Sequence, residues 1–238
     1  MIPDVSIYGH MTIDTIFDDE KKYEFGGIAN VWRTIKKTYP DILINLEPIH
    51  YGEAVIYIDK SNSKRYSDAV LNIRTFEPKV MKSIVNHILY INELDDASFV
   101  NSIKGFNIAD TCKGKELSKF YLENIDILLS SDEDEEIVRE AVENFNGIFI
   151  LHNSRGCKIT YLEHSFSFTL DKKYFLSHVN VLGAGDIYAA FLIYEIYKSE
   201  IYKLDDKYEI YKRLTETVEG IHIKTSTYIS DINKGKLI

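Results

Sequence analysis

Short runs rich in β-branched and aromatic residues alternate along this chain with longer stretches of helical period. Val5–Tyr8 is apolar at nearly every position, as a strand buried on both faces requires. Thr12–Phe17 and Lys22–Phe25 flank the acidic turn Asp18-Asp19-Glu20 and read as a hairpin. Ala29–Thr38 predicts a helix and Asp41–Leu46 a strand. A second hairpin is expected from Ala54–Asp59 and Arg65–Leu71 around Ser61-Asn62-Ser63. His87–Ile91, Asn107–Asp110, Ile125–Leu129 and Ile148–His152 follow as strands, with helical segments in most of the gaps. Cys157–Leu162 and Ser165–Leu170 form an antiparallel pair, and Ala184–Tyr197 and Lys207–Thr225 are helices. Strands alternating with helices argue for an α/β fold, a mostly parallel sheet covered by helices.

Composition narrows the function classes. The 238 residues suit one large domain with a sizeable core. With 37 acidic and 28 basic residues the formal charge is −9, so nucleic acid and anionic membranes are excluded as first partners. A phosphate site must then be a local pocket working against the global sign. Cys112 and Cys157 fit no metal or disulfide spacing, and the seven histidines, among them His10, His152 and His178, show no zinc pattern. The amino-terminal MIPDVSIYGH has no basic region leading into a long apolar stretch, and no apolar run reaches spanning length. A soluble cytoplasmic protein is expected.

Chemistry concentrates in Asn180–Phe191, NVLGAGDIYAAF, where Gly183-Ala184-Gly185-Asp186 opens an apolar helix. Glycines let the backbone approach a ligand, and the first N–H groups of a helix make an anion site. A carboxylate in that first turn is stabilised in its charged form and can accept a proton from a hydroxyl. Four residues alone favour an ordinary glycine-rich turn with Asp186 in the first helical turn. Two more segments change the balance: YGHMTID, with Gly9 and Asp14, and EFGGIANVW, with Gly26-Gly27 and Asn30.

In this order the segments resemble the ribokinase (PfkB) family of carbohydrate kinases, with its G-x-x-x-x-D run, G-G-x-x-x-N segment and D-T-x-G-A-G-D signature. AVIYIDKSNSKRY, NIADTC and IDILLSSDEDE fall where that family has a lid strand, a strand ending in D-x-x, and a strand leading into N-x-x-E. The resemblance implies one ribokinase-like domain over 1–238, a three-layer α/β/α sandwich with a small β lid made of hairpins at about 12–25 and 54–71. It implies an ATP- and Mg2+-dependent phosphotransferase acting on a hydroxyl of a sugar, nucleoside or related polyol. Asp186 matches the general base, and Gly183, Ala184 and Gly185 match the anion hole for the transferred phosphoryl group. Asp14 and Asn30, beside the Gly26-Gly27 turn, match groups that bind acceptor hydroxyls. Lid hairpins with exposed edges can pair between subunits, which leaves a homodimer through the lid open.

Several positions depart from that pattern. Asn180-Val181 replaces the Asp-Thr before GAGD. N-x-x-E, which in the family organises the magnesium, reads Ser131-Asp132-Glu133-Asp134, where Asp134 stands in for the glutamate with a shorter reach, acting through water rather than as a direct metal ligand. An equal reading is that Ser131 caps a helix whose acidic first turn suits the dipole. The nucleotide-side G-x-x-G reads Asn153-Ser154-Arg155-Gly156, with Asn153 expected to keep the turn through a left-handed backbone. The segment between the first helix and the second hairpin is contracted, consistent with loss of a βα unit. These departures keep a second reading alive, a catalytically weak or inactive sugar- or nucleoside-binding protein of the same fold.

Overall fold

The structure is a computed structural model that describes residues 2–18, 20–61, 64–71, 76–94, 97–112, 114–177, 179 and 183–233. A ten-stranded mixed sheet runs through it. Strands β1 (Val5–Phe17), β2 (Lys21–Gly27), β3 (Ile44–Asp59), β4 (Lys64–Leu71) and β5 (Lys82–Ile88) come first in the chain. They are followed by β6 (Lys104–Asp110), β7 (Ile127–Ser131), β8 (Ile148–Asn153), β9 (Gly156–Tyr161) and β10 (His164–Thr169). Their spatial order is β10-β9-β8-β7-β6-β5-β1-β3-β4, with β2 also paired to β1. The centre, from β8 to β3, is parallel, and both edges close with antiparallel strands.

Two cores cover the two faces. Helices α1 (Ile28–Thr38), α3 (Ala184–Lys198) and α4 (Lys207–Asn233) pack on one side, around Ile7, Ile108, Leu129, Ile193 and Leu214. Helix α3 lies between the other two and is apolar almost all round, as a helix buried on most sides must be. The other face is thinner. Among the described residues, α2 (Glu135–Val142), with Val138 turned inward, and short 3-10 turns cover Tyr8, Ile88 and Leu128 there. The helices expected between β5, β6 and β7 are therefore mostly single turns, such as Ile91–Glu93 and Ser98–Asn101.

The main difference from the sequence reading lies in β1 and β3. Val5–Tyr8 and Thr12–Phe17 are one strand, and the strand expected over Asp41–Leu46 begins at Ile44 and runs on unbroken through Ala54–Asp59. Residues 5–8 of β1 pair with β5, and residues 11–17 pair with β2, while β3 accompanies β1 along its whole length. The register slips between Gly9 and His10, opposite Pro48. A proline has no N–H for the ladder and is accommodated at such a bulge. The contracted segment thus sends the chain straight from the main sheet into a four-stranded extension, β2-β1-β3-β4. On that extension Thr12, Asp14, Ile16, Ala54 and Ile56 are buried on one face, while Ile13, Val55, Tyr57 and Tyr66 are exposed on the other. The alternation follows from the period of two along a strand.

Candidate active site

Helix α3 begins at Gly183, whose φ is 70°. Its first hydrogen bond runs from Ile187 N–H to Gly183 O, 2.8 Å, so the N–H groups of Ala184, Gly185 and Asp186 precede the ladder. They gather the positive end of the helix dipole. Asp186 is buried there, 3% exposed, and lines a cleft of about 750 Å³. Asn30 Nδ2 donates to its Oδ2 at 2.8 Å, and the Tyr90 hydroxyl donates to its Oδ1 at 3.3 Å. Asn30 is itself held by Arg33, whose Nη1 donates to Asn30 Oδ1 at 3.2 Å.

Asp14 lines the same cleft from β1, with Oδ1 accepting from Thr12 Oγ1 at 2.5 Å. Gly26 is required beside it, because a Cβ there would fall 2.0 Å from Asp14 Oδ2. Gly27, φ 60°, caps α1, and a Cβ on it would fall 2.1 Å from the His10 carbonyl oxygen. The glycine pair thus lets the start of α1 come against β1, which aims Asn30 across the cleft at Asp186. The residues of the three sequence segments meet around one cavity.

The opposite end of the cleft is built from the ends of β6, β7 and β8. Ser131 Oγ accepts from Glu133 N–H at 3.4 Å, the cap anticipated from the sequence. Asp134 is 3% exposed; its Oδ1 accepts from Gly114 N–H at 3.0 Å, while its Oδ2 is buried without a partner. Both readings of Ser131–Asp134 thus have a physical basis. Asn153 differs from expectation. Among described residues other than glycine, only Tyr90, Leu162 and Glu200 have positive φ. Asn153 holds the turn with its side chain, accepting from Arg155 N–H at 2.7 Å and donating to Asp132 Oδ2 at 2.6 Å. The positive φ, 153°, falls on Gly156, where a Cβ would meet Phe168 O at 2.0 Å. Gly156 pairs with Asn153 across the hairpin and, unlike it, is not a wall of the cleft. Asn180 and Val181 lie outside the described residues.

Several wall residues escaped the sequence reading. Tyr90 carries a left-handed backbone, φ 54°, immediately after β5, a conformation that for a bulky side chain is held by its surroundings. Asp110 ends β6, 5% exposed; burial and then the Asp186 charge push its carboxyl well above the usual range. His222 of α4 lies tilted against Tyr188, with ring centroids 4.8 Å apart, and burial pushes it down to about 4. For Asp110 the signal was present, since NIADTC ends a strand at the carboxyl edge of a parallel sheet, where ligands bind. No local pattern marks Tyr90 or His222. Among the described residues no cluster of three or more His, Cys, Asp or Glu side chains is arranged to hold a metal directly.

No family model matches the sequence, and no curated protein resembles it in sequence. Solved structures do match the fold. A ribokinase from Giardia lamblia superposes with a TM-score of 0.64 over 99% of this chain and 98% of its own, at 13% identity. A fructokinase double mutant from Vibrio cholerae O395, bound to fructose, ADP and potassium, gives 0.59 over 95% and 91%, at 11% identity. A pyrophosphate-dependent kinase in the ribokinase family gives 0.61 over 95% of each chain, at 14% identity. Fold and cleft together define a ribokinase-like α/β protein, the architecture of these sugar kinases.

Proposed function

We propose that this protein is an ATP-dependent kinase that phosphorylates a hydroxyl of a sugar, nucleoside or related polyol, with Asp186 as general base. The observation that carries this reading is the position of Asp186. It is buried at the amino terminus of α3, anchored by Asn30 of α1 and by Tyr90 in the turn after β5, and faces the same cavity as Asp14. Asp14 and Asn30 bind acceptor hydroxyls, a carboxylate accepting two such bonds at once. The acceptor proton passes to an Asp186 oxygen as the hydroxyl oxygen bonds the γ-phosphorus and the bond to ADP breaks. The N–H groups of Gly183–Asp186 hold the charge on the transferred phosphoryl group.

The residues at the donor end fit Mg2+. The buried Asp134 Oδ2 has no hydrogen-bond partner and offers a position for a donor or a cation-bound water, and Asp132 lines the same cleft. When bound, the ion neutralises charge on the phosphates. The β2-β1-β3-β4 extension acts as a lid, its buried face carrying Asp14, Ala54 and Ile56 over the acceptor and excluding water. Its exposed face, with Tyr23, Phe25, Tyr57 and Tyr66, supports a homodimer, which sedimentation at micromolar concentration tests. Among the described residues no helix is long and apolar enough to cross a membrane. That fact and the acidic composition support a cytoplasmic small-molecule enzyme with no nucleic-acid partner.

The binding-protein reading rests on one specific feature, Ser131 and Asn153 engaged in local bonds at the donor end. ADP release measured with ATP and Mg2+ across a panel of sugars, polyols and nucleosides separates the two. Turnover with at least one acceptor is expected. Stabilisation by a sugar with no turnover on any acceptor would establish the binding protein instead.

A further inference from the structure

The acceptor end holds a second pair of polar side chains, His10 and Glu93, for which the motifs assign no role. His10 follows the register slip against β3, where Ile49 is the extra residue, and is 7% exposed, its ring centroid 5.2 Å from that of Tyr90. Its Nδ1 stands 3.5 Å from Glu93 Oε2, outside hydrogen-bonding geometry, and remains buried without a hydrogen-bond partner. Glu93 ends the 3-10 turn that the left-handed Tyr90 launches, with its side chain 19% exposed. Around it are the Cys112 thiol, which burial and then Glu93 push up to about 12, and Lys115 Nζ at 4.0 Å on the rim. His10 and Glu93 are both walls of the cleft, together with Asp14 and Asn30.

The charge of the whole cleft sharpens this local picture. Seven aspartate and glutamate side chains line it, Asp110 among them with its carboxyl pushed up, and no lysine or arginine does among the described residues. An acceptor bearing a phosphate or carboxylate would place its charge among Asp14, Glu93 and Asp186. Lys115, more than half exposed and 4.0 Å from Glu93, is a weak counterweight. A hydroxyl or ammonium group, in contrast, donates to Glu93 while His10 Nδ1 takes up its unmet hydrogen bond. Discrimination by unpaired or like-charged groups exceeds what apolar walls achieve.

We propose that His10 and Glu93 select the acceptor by charge: the site takes polyols without negative charge, prefers one carrying an amino group, and turns away sugar phosphates and sugar acids. This rests on the assignment of the Asp14–Asn30 end to the acceptor. The test measures acceptor binding by calorimetry without nucleotide, so it does not depend on phosphoryl transfer. Matched trios are used, such as glucose, glucosamine and glucose 6-phosphate, with the corresponding pentose and ketose sets. In at least one trio the wild type should bind the amino form tightest and the phosphate at least about tenfold more weakly than the parent sugar. Glu93→Gln should compress the amino-to-phosphate ratio by about tenfold, and Glu93→Asp, which keeps the charge, should retain most of it. His10→Phe, which removes the ring nitrogens, should weaken the amino form more than the phosphate. Equal binding of sugar and sugar phosphate by the wild type, an unchanged ratio in Glu93→Gln, or binding of no trio member would overturn the proposal. A preserved ratio without any turnover would instead count against the kinase reading alone.

Discussion

The two ends of the cleft are held in different ways. At the acceptor end the bonds are long-range: Asn30 and Tyr90 reach Asp186 from 156 and 96 residues away. At the donor end they are shorter in range: Ser131 bonds Glu133, Asn153 bonds Arg155, and the Asn153–Asp132 and Gly114–Asp134 bonds span only 21 and 20 residues, while buried Asp134 Oδ2 and His222 Nε2 have no partner. A side chain fixed from distant elements is oriented by the whole fold, and chemistry that tolerates little displacement belongs there. Unsatisfied buried polar atoms cost stability and persist where a ligand completes them. Around Asp186 the end proposed for the acceptor is thus pre-formed, apart from the unmet His10 Nδ1, while the proposed donor end is left to be completed by what it binds.

The comparison breaks most visibly at Gly26. Gly26→Ala places a methyl group on the Asp14 carboxylate, 2.0 Å from Oδ2, and the carboxylate must move. Acceptor kcat/KM should fall about a hundredfold, the cost of roughly 1 Å of misplacement, while nucleotide affinity holds. Equal losses for both ligands would mean that the two ends are not separately held.

Acidification probes the unmet groups. The histidines at 87 and 222 are buried, with folded values pushed down to about 3 and about 4, mainly by burial. Below pH 6.5 the unfolded chain takes up protons that the folded chain refuses. Stability present above that pH is lost as pH falls toward 4, each histidine weakening the folding constant by up to about tenfold per pH unit. Urea unfolding at stepped pH measures the slope, and His222→Phe, which keeps the ring packing, should flatten it. A slope unaffected by this variant would show that His222 is not held neutral.

A smaller effect is expected at Asp134. Asp134→Asn leaves the Gly114 bond but removes the anionic oxygen. The KM for ATP–Mg2+ should rise about tenfold, within the usual cost of losing an outer-sphere metal partner, with acceptor KM unchanged. A matching rise for the acceptor would contradict the separation of the ends. The smallest effect is a control remote from the cleft. Gly220 sits in α4 with open space where a Cβ would go, so Gly220→Ala should gain about 0.5–1 kcal/mol of stability by urea unfolding without altering turnover.

How far the sequence could be read follows the same division. GAGD, the Gly26-Gly27 pair and the G-x-x-x-x-D run were legible because each is a backbone requirement written in one short segment: a helix start, a close approach, a strand entering an extension. Tyr90 was hidden because its role depends on a left-handed turn that tertiary packing imposes on a residue with no such preference. Glu93 and His222 acquire meaning only through neighbours far away in the chain. In the fold, alternation identified most strands. It could not show that β1 and β3 run unbroken from sheet to extension, since the bulge at Gly9 and Pro48 looks locally like an end.

The most direct test of the whole account is Asp186→Asn. The substitution keeps the shape and can still hydrogen-bond, but removes the proton acceptor and leaves the backbone N–H groups of Gly183–Asp186 in place. With a working acceptor, ATP and Mg2+, kcat measured by ADP release should fall about two to four orders of magnitude, while nucleotide binding stays near wild type. An unchanged kcat would remove Asp186 as the base, and with it the mechanism built on this cleft.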